Sequence, residues 1–335
     1  MPRPRHDFRP RPEQMALWPT ISGNAVNGLG ERAPRRASPI YWHEPDRTPH
    51  GPLQRWFYEN SFGDPQIAAA RAERQAILDS ALAPVAPEPA VLDAEQWTAG
   101  IKAAALAGGA DIVGITEMRP EWVFEGFEVG QRWIVMLGVA HDYARIRTAP
   151  EPQAGAEVIR QYGRGNQAAK AVASWIRERG HDAHPHGGPM AGPVVLIPPA
   201  IACGFGELGK HGSIIHRRLG SSFRLAAVLT DVPLLADAPD RFGADAFCAR
   251  CRVCSDACPP DAILPDKQWV RGEFKWYVDF DRCLPYFNEH MGCAICIAVC
   301  PWSRPGIADN LVAKMARRFG AAPDAAAADR APGRD

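Results

Sequence analysis

Eight of the nine cysteines lie between positions 248 and 300, in two runs. The first is Cys248-x2-Cys251-x2-Cys254-x3-Cys258-Pro259, and the second is Cys283-x9-Cys293-x2-Cys296-x3-Cys300-Pro301. Three thiolates separated by two residues each can wrap three corners of one iron–sulfur cube. The fourth, three residues further on, opens a helix that points away and reaches a second cube. The spacing predicts two [4Fe–4S] clusters, one on Cys248, Cys251, Cys254 and Cys300, the other on Cys258, Cys283, Cys293 and Cys296. Zinc also favours four-cysteine sites, but these usually show paired C-x2-C knuckles rather than this run. Disulfides require an oxidising compartment, and no secretory signal is read here to imply one. The chemistry on offer is electron transfer, with its destination left open.

The chain has 335 residues, enough for a sizeable core and a second, smaller module. Its 38 Lys and Arg balance 38 Asp and Glu, so no global basic field favours a nucleic-acid partner. Basic residues at Arg3, Arg5, Arg9 and Arg11 alternate with prolines and precede no apolar stretch. They do not read as a signal peptide, and Arg35-Arg36 lacks an apolar follow-on as well. No apolar run is long enough for a membrane span, so the cytoplasm is the expected location.

Residues 1–90 read as an irregular arm rich in Pro, Arg and Gly that packs on the main domain through Trp42, Trp56, Phe57 and Tyr58, with a helix over 66–82. The main domain is expected over 91–240. A capping box at Asp93 and Gln96 starts its first helix, which stops at Gly108-Gly109. Residues 111–116, 132–139, 194–197 and 224–230 read as strands, and 152–179 as a long amphipathic helix closed by Gly180. Strands alternating with helices indicate an α/β (α+β) sheet domain. A small cysteine module over 241–306 follows, then a tail over 307–335, expected to be disordered from 319 onward.

Three blocks together resemble the reductive dehalogenase family of corrinoid iron–sulfur enzymes. They are EVIRQYGRGNQAAKAVASWIRERGHDA around Tyr162, GFGELGKHGSIIHRRLGSSFRLAAVLTDVPL over 204–234, and the cysteine module with its GCAICIAVCPW ending at Trp302. The resemblance covers about residues 90–306. It implies a nitroreductase-like domain holding base-off cobalamin, fused to a ferredoxin-like module with two [4Fe–4S] clusters. It also implies a tyrosine proton donor beside a basic residue. The twin-arginine signal of respiratory members and the C-terminal reductase of some soluble members are not read in this sequence. The expectation is therefore a cytoplasmic core that takes electrons from an external donor (a ferredoxin, flavodoxin or reductase) and acts on a small molecule. Epoxyqueuosine reductase, a related family with the same cofactor plan, is the alternative, although His141-Asp142-Tyr143 holds its catalytic residue types in another order. A non-enzymatic electron carrier is the third reading.

With the resemblance in place, Tyr162 is the candidate proton donor, against a plain core tyrosine on an apolar helix face. Lys210, after the Gly206-Glu207-Leu208-Gly209 turn, is the candidate cation beside it, against a solvated loop lysine. Arg271, before Gly272, is a candidate anion contact, against a surface arginine. Gly206, Glu207, Leu208, Gly209, Gly212 and Ser213 are expected at the corrin face, because glycines permit close backbone approach. Asp182-x-His184-x-x-Gly187 matches a cobalt-binding pattern of another cobalamin class, but follows a helix-closing glycine and reads better as a surface loop. Cys203 reads as a buried filler.

Overall fold

A computed structural model of the chain describes residues 8–61, 63–190 and 192–319. Its main sheet is built from β1 (Ile112–Glu117), β2 (Trp133–Ala140), β3 (Ala183–Gly187) and, beyond the short β4 (Glu207–Leu208) and β5 (Ile214–Ile215), β6 (Phe223–Thr230). The order is β1-β2-β6-β3 and every pairing is antiparallel. The middle strands β2 and β6 are apolar along most of their length because both their faces are covered, with Arg224 the charged exception on β6. Trp133, Val135 and Leu137 face one core with Ala226 and Val228, while Ile134 and Met136 face a second with Ala227 and Leu229.

Four helices precede or flank this sheet: α1 (Gly51–Ser61), α2 (Pro65–Asp79), α3 (Ala94–Ala107) and α4 (Pro152–Arg177), of which α3 and α4 pack on its strands. The Asp93–Gln96 capping box starts α3 as expected. Ala168, Ala169, Val172, Ala173 and Ile176 recur at helical spacing on α4 and enter the first core. Small residues at these positions let α4 lie close on the sheet, and α2 packs along its outer side.

Two local expectations fail. Residues 194–197 form no named strand: Val194 makes an isolated bridge with Val123, and Pro198-Pro199 help open a short helix, Ile197–Ala202. Conversely, the segment with His184 is not a loop but edge strand β3, where Pro185 is tolerated because only β6 pairs with it.

The cysteine module contributes α5 (Ala244–Arg250), α6 (Val253–Ala257) and α7 (Phe280–Glu289). A further helix, α8 (Ala308–Phe319), lies in the region read as a tail, and its Met315 joins Phe242, Trp276 and Trp302 in a common core. The disorder expected from 319 onward falls, beyond Phe319, outside the described residues. The N-terminal arm is anchored to α7 as well as to the main domain. Tyr41 donates its hydroxyl to Asn288 at 2.8 Å, Gln14 reaches the Pro285 carbonyl and Glu289, and Asn24 bonds Asp279 and the Phe280 amide. On the other side, the Arg36 guanidinium bonds the carbonyls of Val123, Phe124 and Phe127.

Candidate functional site

The eight thiols of the two runs separate into two neighbourhoods. Burial pushes Cys248 up, and Cys300, Cys254 and Cys251 push it further. Cys254 is raised to about 12, by burial and then by Cys300 and Cys251. In the second neighbourhood Cys283 rises to about 12 through burial, Cys258 and Cys293. Cys296 is raised by burial and chiefly by Cys293 and Cys283, with Cys254 and Cys258 also near. Cys258 therefore sits with the second run and Cys300 with the first. Buried thiolates crowded in this way need a cationic partner to remain ionised. Among the described residues, no three His, Cys, Asp or Glu side chains close on a point able to hold a single metal ion. Four thiols in each neighbourhood match the four-cysteine ligand set of an iron–sulfur cube.

The glycine turn expected at the corrin face lies between these thiols and the sheet. Gly206 takes φ +111°, and a Cβ there would overlap the Ile215 carbonyl as β4 pairs with β5. The Glu207 carboxylate accepts from the amides of Phe242, Ala244 and Asp245, capping α5 and fixing the cysteine module to the main domain. Leu208 packs against the core that holds Trp302. Lys210 is 3% exposed. Its ammonium donates to the Cys251 carbonyl at 3.0 Å and lies 4.9 Å from the Trp276 ring, while its amide donates to Cys248 Sγ at 3.5 Å. Lys210 is thus neither a solvated loop lysine nor a wall of the chambers around Tyr162: its charge is spent at the first thiol set. Gly209 backs onto His211, while Gly212 and Ser213 line two of the chambers described next.

Tyr162 lies on α4 but outside the apolar core, so the plain core-tyrosine reading fails. It lines a chamber of about 140 Å³ with Trp42, Tyr58, Arg74, Arg224 and Phe287. It also lines a second, of about 290 Å³, with His186, Ser213, Phe223 and Arg224. A third chamber, of about 330 Å³, includes Cys258, Cys283, Cys293, Cys296, His211 and again Arg224 in its wall. Arg224 is common to all three. Its guanidinium carbon stands 5.3 Å from the centre of the Tyr162 ring, and its Nε is buried without a hydrogen-bond partner among the described residues. That charge is felt locally: His141 is held well below its ordinary value by burial, with Arg224 adding to the effect. The Tyr162 ring is fenced by Gly188, where a Cβ would overlap it, and Asn166 ties the Tyr162 and Gly188 carbonyls together at 2.7 and 3.1 Å. Arg74 reaches the same Gly188 carbonyl at 3.2 Å.

The remaining expected residues lie elsewhere. Arg271, at φ +49°, bonds the Asn27 carbonyl and serves as a clasp on the N-terminal arm. His184 is half exposed on β3 and lies 3.3 Å from Asp182. Cys203 is buried and contacts the Ala200 carbonyl, in keeping with a filler. The sequence reading missed Arg224, Arg74, Asn166 and Gly188. Arg224 carried the clearest signal, as a charged residue near the start of an otherwise apolar strand that is buried on both faces.

A corrin ring is a large, mostly apolar ligand, and these residues fit one. Three chambers meet at one arginine, their walls are mainly aromatic and aliphatic, and the buried Arg224 Nε has no hydrogen-bond partner among the described residues. His211 Nδ1 accepts the Ser213 amide at 3.2 Å, so the ring hydrogen is on Nε2 rather than on Nδ1. Burial holds that imidazole down to about 4, hence neutral.

Fold and site together define an α/β sheet domain joined to a cysteine module of the 4Fe-4S dicluster type. Residues 247–303 match the family described as 4Fe-4S dicluster domain. In sequence the chain is similar to a tetrachloroethene reductive dehalogenase of Desulfitobacterium hafniense, 31% identical over 65% of this chain and 41% of that one. The enzyme of the same name from Sulfurospirillum multivorans is 26% identical over 65% of this chain and 52% of its own length. An epoxyqueuosine reductase of Leadbetterella byssophila is 35% identical over 31% of this chain and 35% of its own. The chain thus spans about half or less of these relatives. In structure it is similar to the catabolic reductive dehalogenase NpRdhA in complex with 3-bromo-4-hydroxybenzoic acid, at TM-score 0.71 and 22% identity, covering 91% of this chain and 48% of that one. The resemblance to reductive dehalogenases therefore holds in sequence and in fold, and the relatives on both sides are oxidoreductases. Among the described residues, no helix is long and apolar enough to cross a membrane.

Proposed function

We propose that the chain is a corrinoid-dependent reductase that removes halogen from a small organohalide, fed by an external donor through two [4Fe–4S] clusters. The observation that carries this reading is the Tyr162–Arg224 pair at the junction of three chambers, one of them walled by the second thiol set. When bound, base-off cobalamin would supply the reducing chemistry at the carbon–halogen bond, and the clusters would supply its electrons. The chain's own residues do the rest. Apolar walls exclude water, so the carbon that loses halide takes its proton from a placed group. The Tyr162 hydroxyl gives that proton and is left as phenolate. The Arg224 guanidinium beside the ring stabilises the negative charge that forms, more strongly in this low-dielectric space than in water. Lys210 holds the loop of the first thiol set, and Glu207 fixes the cysteine module against the sheet domain.

The local similarity to epoxyqueuosine reductase supports a second reading with the same cofactors and a different substrate. One experiment separates the two. The protein is purified anaerobically with cobalamin, analysed for iron and cobalt, and assayed on brominated phenols and on epoxyqueuosine-containing tRNA. Bound cobalt with halide release supports the first reading. Bound cobalt with turnover of tRNA alone supports the second, and iron without cobalt overturns both in favour of an electron carrier.

A further inference from the structure

His211 is 6% exposed, yet its Nε2 has no hydrogen-bond partner among the described residues. The ring is not free to turn away. Its Nδ1 accepts the Ser213 amide at 3.2 Å, and Gly209 packs so closely that a Cβ there would sit 2.7 Å from His211 Cε1. The turn is closed by the Gly209 amide on the Ser213 carbonyl at 2.8 Å, and is anchored to the first thiol set through Lys210. With Nδ1 accepting, the hydrogen is on Nε2. A buried N–H without an acceptor costs free energy, so a group absent from the protein itself is its natural partner. His211 lines the same chamber as Cys258, Cys283, Cys293 and Cys296.

We propose that His211 donates an Nε2–H···S hydrogen bond to the [4Fe–4S] cluster held by Cys258, Cys283, Cys293 and Cys296, and so raises that cluster's reduction potential. The inference rests on the cluster reading above. Reduction adds one electron to the cluster and leaves the histidine proton in place. The added negative charge spreads onto the sulfurs, and a donor aimed at one of them favours the reduced form. Adjacent residues of one turn then address different clusters, Lys210 the first and His211 the second. Neither is a catalytic residue; both are positioning groups.

The test uses the full chain, reconstituted anaerobically with iron, sulfide and cobalamin. Iron content is measured first: a chain that binds no clusters refutes the underlying reading rather than the hydrogen bond. Redox titration followed by EPR then compares wild type with His211→Phe and His211→Gln. The signal of the second cluster is identified as the one altered by Cys258→Ser. In His211→Phe its midpoint potential is expected to fall while the other cluster's stays put, and His211→Gln, which keeps an N–H, is expected to recover part of the shift. Unchanged potentials at full iron content overturn the proposal. Should His211→Phe lose iron, wild-type protein with ¹⁵N-labelled histidine decides. Hyperfine coupling of ¹⁵N to the reduced second cluster supports the bond; coupling to cobalt alone, or none, overturns it.

Discussion

As the proposed acid, Tyr162 would need a cation beside it to give up a proton in an apolar chamber, and the family resemblance pointed to Lys210 for that place. The lysine follows a glycine-rich turn, which made it look poised for a ligand, but the same turn delivers its ammonium to the Cys251 carbonyl. Arg224 takes the position instead, over the Tyr162 ring and inside every chamber of the site. Arg224→Gln removes the charge and keeps a polar side chain. Turnover is expected to fall about 10²-fold, in line with loss of one preorganised charge-stabilising group. Iron and cobalt contents should be unchanged, and the combination with Tyr162→Phe should be little worse than the more damaging single change, because the two act as a unit. An undiminished rate in Arg224→Gln, read by halide release, removes the arginine from the chemistry.

The cysteine runs are held by elements that the sequence announced only in part. The spacing assigns Cys258 to the other run; Cys258 closes α6 rather than opening a helix, and it stands near Cys283, Cys293 and Cys296 of the second set. Cys258→Ser is expected to perturb the EPR signal of the cluster on the second run and leave the first intact. Loss confined to the cluster of Cys248, Cys251 and Cys254 would reverse the assignment. Where local physics dominates, the sequence was readable: the Asp93 capping box, the apolar strands β2 and β6, and the long amphipathic helix α4 all form as their patterns require. Where long-range pairing decides, it was not. Val194-Val195-Leu196-Ile197 has the composition of a strand, yet the prolines that follow start a helix there. Edge strand β3 carries a proline and two histidines and is held by its pairing with β6 and its packing on α4, both long-range. The grip of the arm on α7 was hidden for the same reason, since Tyr41 and Asn288 meet across most of the chain.

Taken whole, the molecule buries several imidazoles in neutral form, which ties its stability to pH. Burial pushes both His186 and His216 down to about 4. An unfolded imidazole titrates near 6.5, so between roughly pH 6.5 and 4 the unfolded chain takes up protons that the folded chain does not. The stability linked to these residues is complete above the unfolded value and is lost as pH falls through the folded one. The denaturant midpoint is expected to drop between pH 7 and 5. His216→Asn should flatten that slope, since asparagine still accepts the Arg218 and Leu219 amides that His216 Nδ1 accepts; an unchanged slope would clear His216. The central claim, that the sheet domain and the cysteine module together form a reducing site with Tyr162 as its acid, meets its most direct test in a single turnover. Wild type and Tyr162→Phe, reconstituted with cobalamin and both clusters, are reduced chemically and mixed with a brominated phenol, and halide release is followed in time. The account predicts one halide released per loaded site in wild type and a rate lower by about 10²–10⁴-fold in Tyr162→Phe, at equal iron and cobalt content. Equal rates for the two proteins would contradict it.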